Sequence, residues 1–126
     1  MLSAIINGAG HQFHSLADFS RAVDAGHDQD YREIWVEREE ASMCALAAGD
    51  IAWLMMLRFT GDVGFSSRNP SVADDAGEMM CFRLSNGQVD EYPAAWALPK
   101  DVWVPAILHF AETGERSDLV HWHDEG

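Results

Sequence analysis

The apolar positions of this chain fall into short runs whose spacing switches between two residues and three or four. Residues 2–6, "LSAII", read as a short strand that stops in the Gly8–Gly10 region. "SLADFSRAVDAG" places Leu16, Phe19 and Val23 at i, i+3 and i+7, one face of a helix. Ser15 suits its N-cap, Asp18 the third helical position and Gly26 the residue past its end. "YREIWVERE" alternates, with Ile34 and Val36 on one side and Glu33, Trp35 and Glu37 on the other, as in a strand with one wet face. "SMCALAA" and "IAWLMMLRF" are apolar on both sides of Gly49-Asp50, which predicts a tight hairpin of central strands covered on both faces.

A second hairpin is predicted where "EMMCFRL" and "QVDEY" flank Asn86-Gly87. A type I′ turn there sets Leu84 opposite Val89 and Arg83 opposite Asp90. "LPKDVWVPAILHFAETG" predicts a helix with Trp103, Ile107 and Phe110 on one face and Gly114 at its end. Pro105 moves the start of its regular part to near Val104, because the ring lacks a donor and crowds the preceding turn. "LVHWH" predicts a last short strand. Strand, helix, five strands, helix, strand is an order dominated by hairpins. It predicts an α+β fold, a mostly antiparallel sheet of about five to seven strands with two main helices packed on it, in a single domain over residues 1–126.

One segment fits neither period. "TGDVGFSSRNPSVADDAGE", from Thr60 to Glu78, is longer than an ordinary connection, and such loops are functional or disordered. Phe65 and Val72 are apolar anchors in polar surroundings, and Asp74, Asp75 and Glu78 crowd one end. That mixture predicts an ordered binding loop, apolar contacts inside a charged rim.

Charge narrows the partners. Eight basic and twenty-one acidic residues leave a formal charge of −13. Such a surface repels nucleic acid and anionic membranes, and steers basic proteins toward it. With 48% apolar residues in 126, a core can form. Cys44 and Cys81 lie in apolar runs, so no disulfide framework is expected. "MLSAIINGAG" lacks the basic and apolar regions of a signal peptide, and no window reaches the length of a membrane span. A cytoplasmic protein is expected.

Reactive constellations are few. His121 and His123 share one side of a strand, with His11 and His14 available to join them, but no paired ligand motif accompanies them. Gly8-Ala9-Gly10 is too short for a dinucleotide fingerprint, and no nucleophile elbow is present. No catalytic residue, metal or cofactor is therefore expected. Glu37, Glu39 and Glu40 read as a solvated strand end.

The strand Ile51–Phe59, then "GDVGFSSRNP", "EMMCFRL" and "ALPKDVWVPAILHFAETGERSDLVHW", make the chain from Ile51 onward resemble immunity family one of bacterial polymorphic toxin systems, whose cognate toxins are mostly nucleic-acid deaminases. The N-terminal half matches that family only in the order of its elements, and Pro105 and the tail "HWHDEG" depart from it. The resemblance implies a non-enzymatic antitoxin that binds a toxin and blocks its active site. The acidity agrees, since a toxin acting on nucleic acid needs a basic groove. The expected partner is a cognate basic toxin domain, met by a monomer. The expected toxin-binding residues are Phe65, Arg68, Asp74, Asp75 and Glu78, with Glu37, Glu39 and Glu40 behind them. The alternatives are a small-ligand or metal-binding α+β module using His121, His123 and His11, and a homodimeric structural subunit.

Overall fold

The computed structural model describes residues 2–25, 31–70 and 77–126. Strand β1 (Leu2–Ile6) turns back through Asn7-Gly8 into β2 (Ala9–Phe13), in register from Ile6 opposite Ala9 to Leu2 opposite Phe13. Asn7 and Gly8 both take positive φ, 48° and 84°, the signature of a type I′ turn. The glycine region that was expected to end a strand is thus the centre of a hairpin. Helix α1 (Leu16–Ala25) follows, and the Asp18 N–H donates to Ser15 Oγ at 3.1 Å, the cap expected from the sequence. The expected closing residue Gly26 lies outside the described residues.

Strands β3 (Arg32–Arg38), β4 (Ala41–Ala48) and β5 (Ile51–Leu57) form a meander. Strand β6 (Phe65–Arg68) comes next, inside the segment that was expected to lack strand structure. At four residues it is too short to show a period. It pairs with β5 only at Met55–Ser66 and Met56–Phe65, and on its other side with the final strand. Beyond that short ladder the Leu54 N–H donates to the fully buried Ser67 Oγ at 2.9 Å, a side chain doing the work of a backbone carbonyl.

Strands β7 (Met79–Arg83) and β8 (Val89–Pro93) form a separate hairpin, with Arg83 opposite Val89 and Phe82 opposite Asp90. The expected pairing of Arg83 with Asp90 is corrected by one residue. The cause is the turn. Only Gly87 has positive φ, Gly87 N–H donates to Leu84 O at 3.0 Å, and Leu84 N–H donates to Gln88 O at 2.8 Å. That is a three-residue loop with a bulge, not the two-residue I′ turn. After a short 3-10 turn (Ala94–Trp96) comes helix α2 (Lys100–Thr113), ended by Gly114 at φ 77°. The helix starts four residues before the expected Val104 and runs through Pro105. Pro105 and Asp101, whose carbonyl loses a donor to the ring, both lie on the exposed side of the helix. Strand β9 (His121–Asp124) starts two residues later than the expected run.

All pairings are antiparallel, and the seven-stranded sheet has the order β2-β1-β3-β4-β5-β6-β9. Its first face carries both helices. Ile34, Val36, Met43, Leu54 and Met56 meet Phe19, Val23, Trp103, Ile107 and Phe110 there. Fully burying one such side chain contributes about 1.5–3 kcal/mol. The second face carries the β7–β8 hairpin, whose Met80 and Phe82 cover Cys44, Leu46 and Trp53. Tyr92 stacks on Trp53 with centroids 4.1 Å apart, Trp96 lies against Tyr92, and the Arg68 guanidinium covers Trp96 at 3.5 Å.

The expected wet face of β3 is wet only at Glu37. At its other end Glu33 is buried and accepts from the Ser85 N–H at 3.2 Å and the Ser85 hydroxyl at 2.7 Å, latching the hairpin tip to the sheet. The two arginines of β3 serve the helices. Arg32 donates to Val23 O at 2.6 Å in the last turn of α1, and Arg38 to Ala111 O at 3.0 Å in the last turn of α2. Each satisfies a carbonyl left over at a helix end and places a cation at the negative pole of its dipole.

Candidate partner-binding surface

The β7–β8 hairpin leaves part of the second face open. Over β1, β2 and β3 lies a shallow groove lined by Ser3, Ile5, Gly10, Gln12, Trp35 and Glu37. Ile5 is 44% exposed and Trp35 is half-buried, so the floor is apolar. Glu37 also borders a second concavity at the end of the sheet, where the β3–β4 turn meets the end of β5. Its lining includes Glu39, Glu40, Ser42, Phe59 and Thr60. Glu39 holds φ 58°, uncommon for a residue with a Cβ, and this turn sets two consecutive carboxylates at the rim. Phe59 is 50% exposed and Val63 58%.

Electrostatically this end is unbalanced. Arg38 points to the α2 carboxyl end. Arg58 forks onto Asp62, Nε to Oδ2 at 2.8 Å and Nη2 to Oδ1 at 2.9 Å, which holds the Asp62 carboxyl well below the usual carboxylate range. The side chains of Glu37, Glu39 and Glu40 have no hydrogen-bond or ion-pair partner among the described residues. Three uncompensated carboxylates around solvent-exposed Phe59 form an apolar spot with an acidic rim.

The residues expected from the long segment lie elsewhere. Phe65 is buried, its ring held between the Arg58 guanidinium at 4.9 Å and that of Arg116 at 3.7 Å. Arg68 is tied inward, to Ser66 Oγ at 2.6 Å and Glu125 Oε1 at 3.0 Å as well as to Trp96. Glu78 is exposed, and its carbonyl accepts from the Ala94 N–H. Asp74 and Asp75 lie outside the described residues. Glu37, Glu39 and Glu40 are brought together at one rim. Sequence reasoning missed Ile5, Phe59 and Val63, because exposure of a strand-end apolar residue depends on what does or does not fold over it.

The histidines do not converge. His121 and His123 are exposed on β9, opposite Arg68 and Ser66, whereas His11 belongs to β2 at the other edge of the sheet. Among the described residues no group of three or more His, Cys, Asp or Glu side chains is placed to hold a metal ion. Cys44 is buried, and burial pushes its thiol far above the ordinary range. No helix among the described residues is long and apolar enough to cross a membrane.

Comparison with known proteins gives one finding. A family model described as "Immunity protein Imm1" matches residues 5–124, nearly the whole chain. The match includes the N-terminal half, β1 to β4, where the sequence motifs alone gave only the order of elements. No curated protein matches the chain.

Proposed function

We propose, from the premise that the chain belongs to the Imm1 immunity protein family, that it protects its cell by seating the acidic end of its sheet in the substrate groove of a basic, nucleic-acid-acting toxin. Membership implies an immunity protein that binds a cognate toxin. The observation that carries the finer reading is the uncompensated rim of Glu37, Glu39 and Glu40 around exposed Phe59. Such a rim matches a groove lined by Lys and Arg for phosphate, while the apolar centre supplies area that is removed from water on docking.

The toxin class is a nucleic-acid deaminase, the class that the family resemblance implies. A deaminase must admit a single-stranded or flipped nucleotide, so a plug across its groove stops turnover without any reaction by the inhibitor. The protein is a monomer before binding and acts in the cytoplasm. The acids Asp74, Asp75 and Glu78 add to the field that steers association. A specific complex buries about 800 Å² on each partner.

The test is co-expression with the toxin domain encoded in the neighbouring gene. Survival of cells carrying both, and death of those carrying the toxin alone, supports the reading. Death of both refutes it. In purified components Glu39→Lys combined with Glu40→Lys slows association about tenfold or more at low salt and flattens its salt dependence. An unchanged on-rate and salt slope places the contact elsewhere on the molecule.

A further inference from the structure

We infer that the free edge of β2 takes an extended, basic segment of the toxin as an additional strand, lengthening the seven-stranded sheet to eight; this rests on the toxin-binding reading above. The ladder shows which backbone groups are free. The Asn7 N–H donates to Glu33 O at 2.8 Å, so the odd residues of β1 face β3 and the even ones face β2. Ile6, Ala4 and Leu2 stand opposite Ala9, His11 and Phe13. Those three therefore hydrogen-bond toward β1, and the N–H and C=O of Gly10 and Gln12 point outward from the sheet.

Among the described residues nothing blunts that edge. Natural sheets guard edges with Lys, Pro, bulges or a covering element. Strand β2 reads Ala-Gly-His-Gln-Phe, it bears no Lys, Arg or Pro, and four of its five residues are exposed. A Cβ built on Gly10 meets no atom within 4 Å. The opposite edge, β9, ends in acidic Asp124, and the Glu125 N–H that follows donates inward, toward β6, to Gly64 O at 3.0 Å.

Charge selects the occupant. The groove beside β2 offers Ile5 and Trp35 as apolar floor and Glu37 as its charged group, and neither Lys nor Arg lines it. An added strand lays alternate side chains over that groove, with a Lys or Arg reaching Glu37. A second copy of this chain brings another −13 to the same edge and is repelled.

The experiment measures amide exchange and affinity with the toxin domain encoded in the neighbouring gene as the probe. Bound toxin protects the Gly10 and Gln12 amides, which exchange readily in the free protein. Gln12→Pro removes one outward donor without touching the β1 ladder, and weakens binding about tenfold or more, whereas Gln12→Ala keeps the donor and stays within about threefold. If Gln12→Pro fails to fold, Gly10→Pro and the wild-type exchange pattern carry the test. Tight binding with Gly10 and Gln12 exchanging at their free rates overturns this inference and leaves the immunity function standing. Absence of binding overturns both. Protection that appears without toxin and grows with protein concentration identifies a second copy as the occupant and also overturns it.

Discussion

Replacing Ser67 with Ala tests how the short strand β6 is held. The Ser67 side chain is fully buried, and its hydroxyl oxygen accepts the Leu54 N–H at 2.9 Å, just past the two-residue β5–β6 ladder. Ala fits the space but leaves that buried N–H without an acceptor. The lost bond and the stranded donor together cost about 1–3 kcal/mol. That is a large share of the 5–15 kcal/mol by which a domain of this kind is stable. With a urea slope of about 1–3 kcal/mol per molar, a loss of about 2 kcal/mol lowers the unfolding midpoint by roughly 1 M at unchanged slope. Amide exchange adds a local readout, since Leu54 should lose protection before Ala45, its partner in the β4–β5 ladder. A variant whose midpoint and Leu54 exchange both match the wild type refutes the assignment.

Two further outcomes follow from the titrating groups. The folded Asp62 carboxyl is held below its unfolded value by Arg58, so its contribution is present above pH about 4 and is lost as pH falls below that. Asp62→Asn should flatten the acid side of a melting-temperature profile, and an unchanged profile between pH 2 and about 5 refutes this. Cys44 is buried and its thiol is pushed up by burial, whereas Cys81 is exposed. A thiol reagent should therefore label one cysteine in native protein and two in denaturant; rapid labelling of both under native conditions contradicts the packing of the second face.

Sequence pattern located the elements whose signal is local and repeated. The β3–β4–β5 meander, α1 with its Ser15 cap and the apolar face of α2 are all legible from spacing. The misreadings have specific causes. Asn-Gly occurs twice and makes two different turns, because the first dipeptide alone forms the loop while the second shares it with Ser85. Hence β2 was missed and the register of β7 with β8 was off by one. Strand β6 forms because β5 and β9 flank it, a tertiary cause that four residues cannot display. Pro105 was given too much weight because its place on the exposed side of the helix is not written in the sequence. Acidity alone pointed to a basic partner, and Glu37, Glu39 and Glu40 were among the residues named. Phe65 and Arg68 looked available only because β9 and Trp96, which cover or stack on them, are distant in the chain.

The arginines of β3 have a bearing on how such a protein changes over generations. Arg32 and Arg38 anchor the two helices, and Arg58 and Arg68 close contacts within the fold, so the positive charge that the architecture relies on is withdrawn from the carboxylate rim. The side chains of the rim acids make no hydrogen bond or ion pair among the described residues. Exchanging them breaks no side-chain bond of the fold, so the charge of this rim can change while the backbone beneath it stays the same.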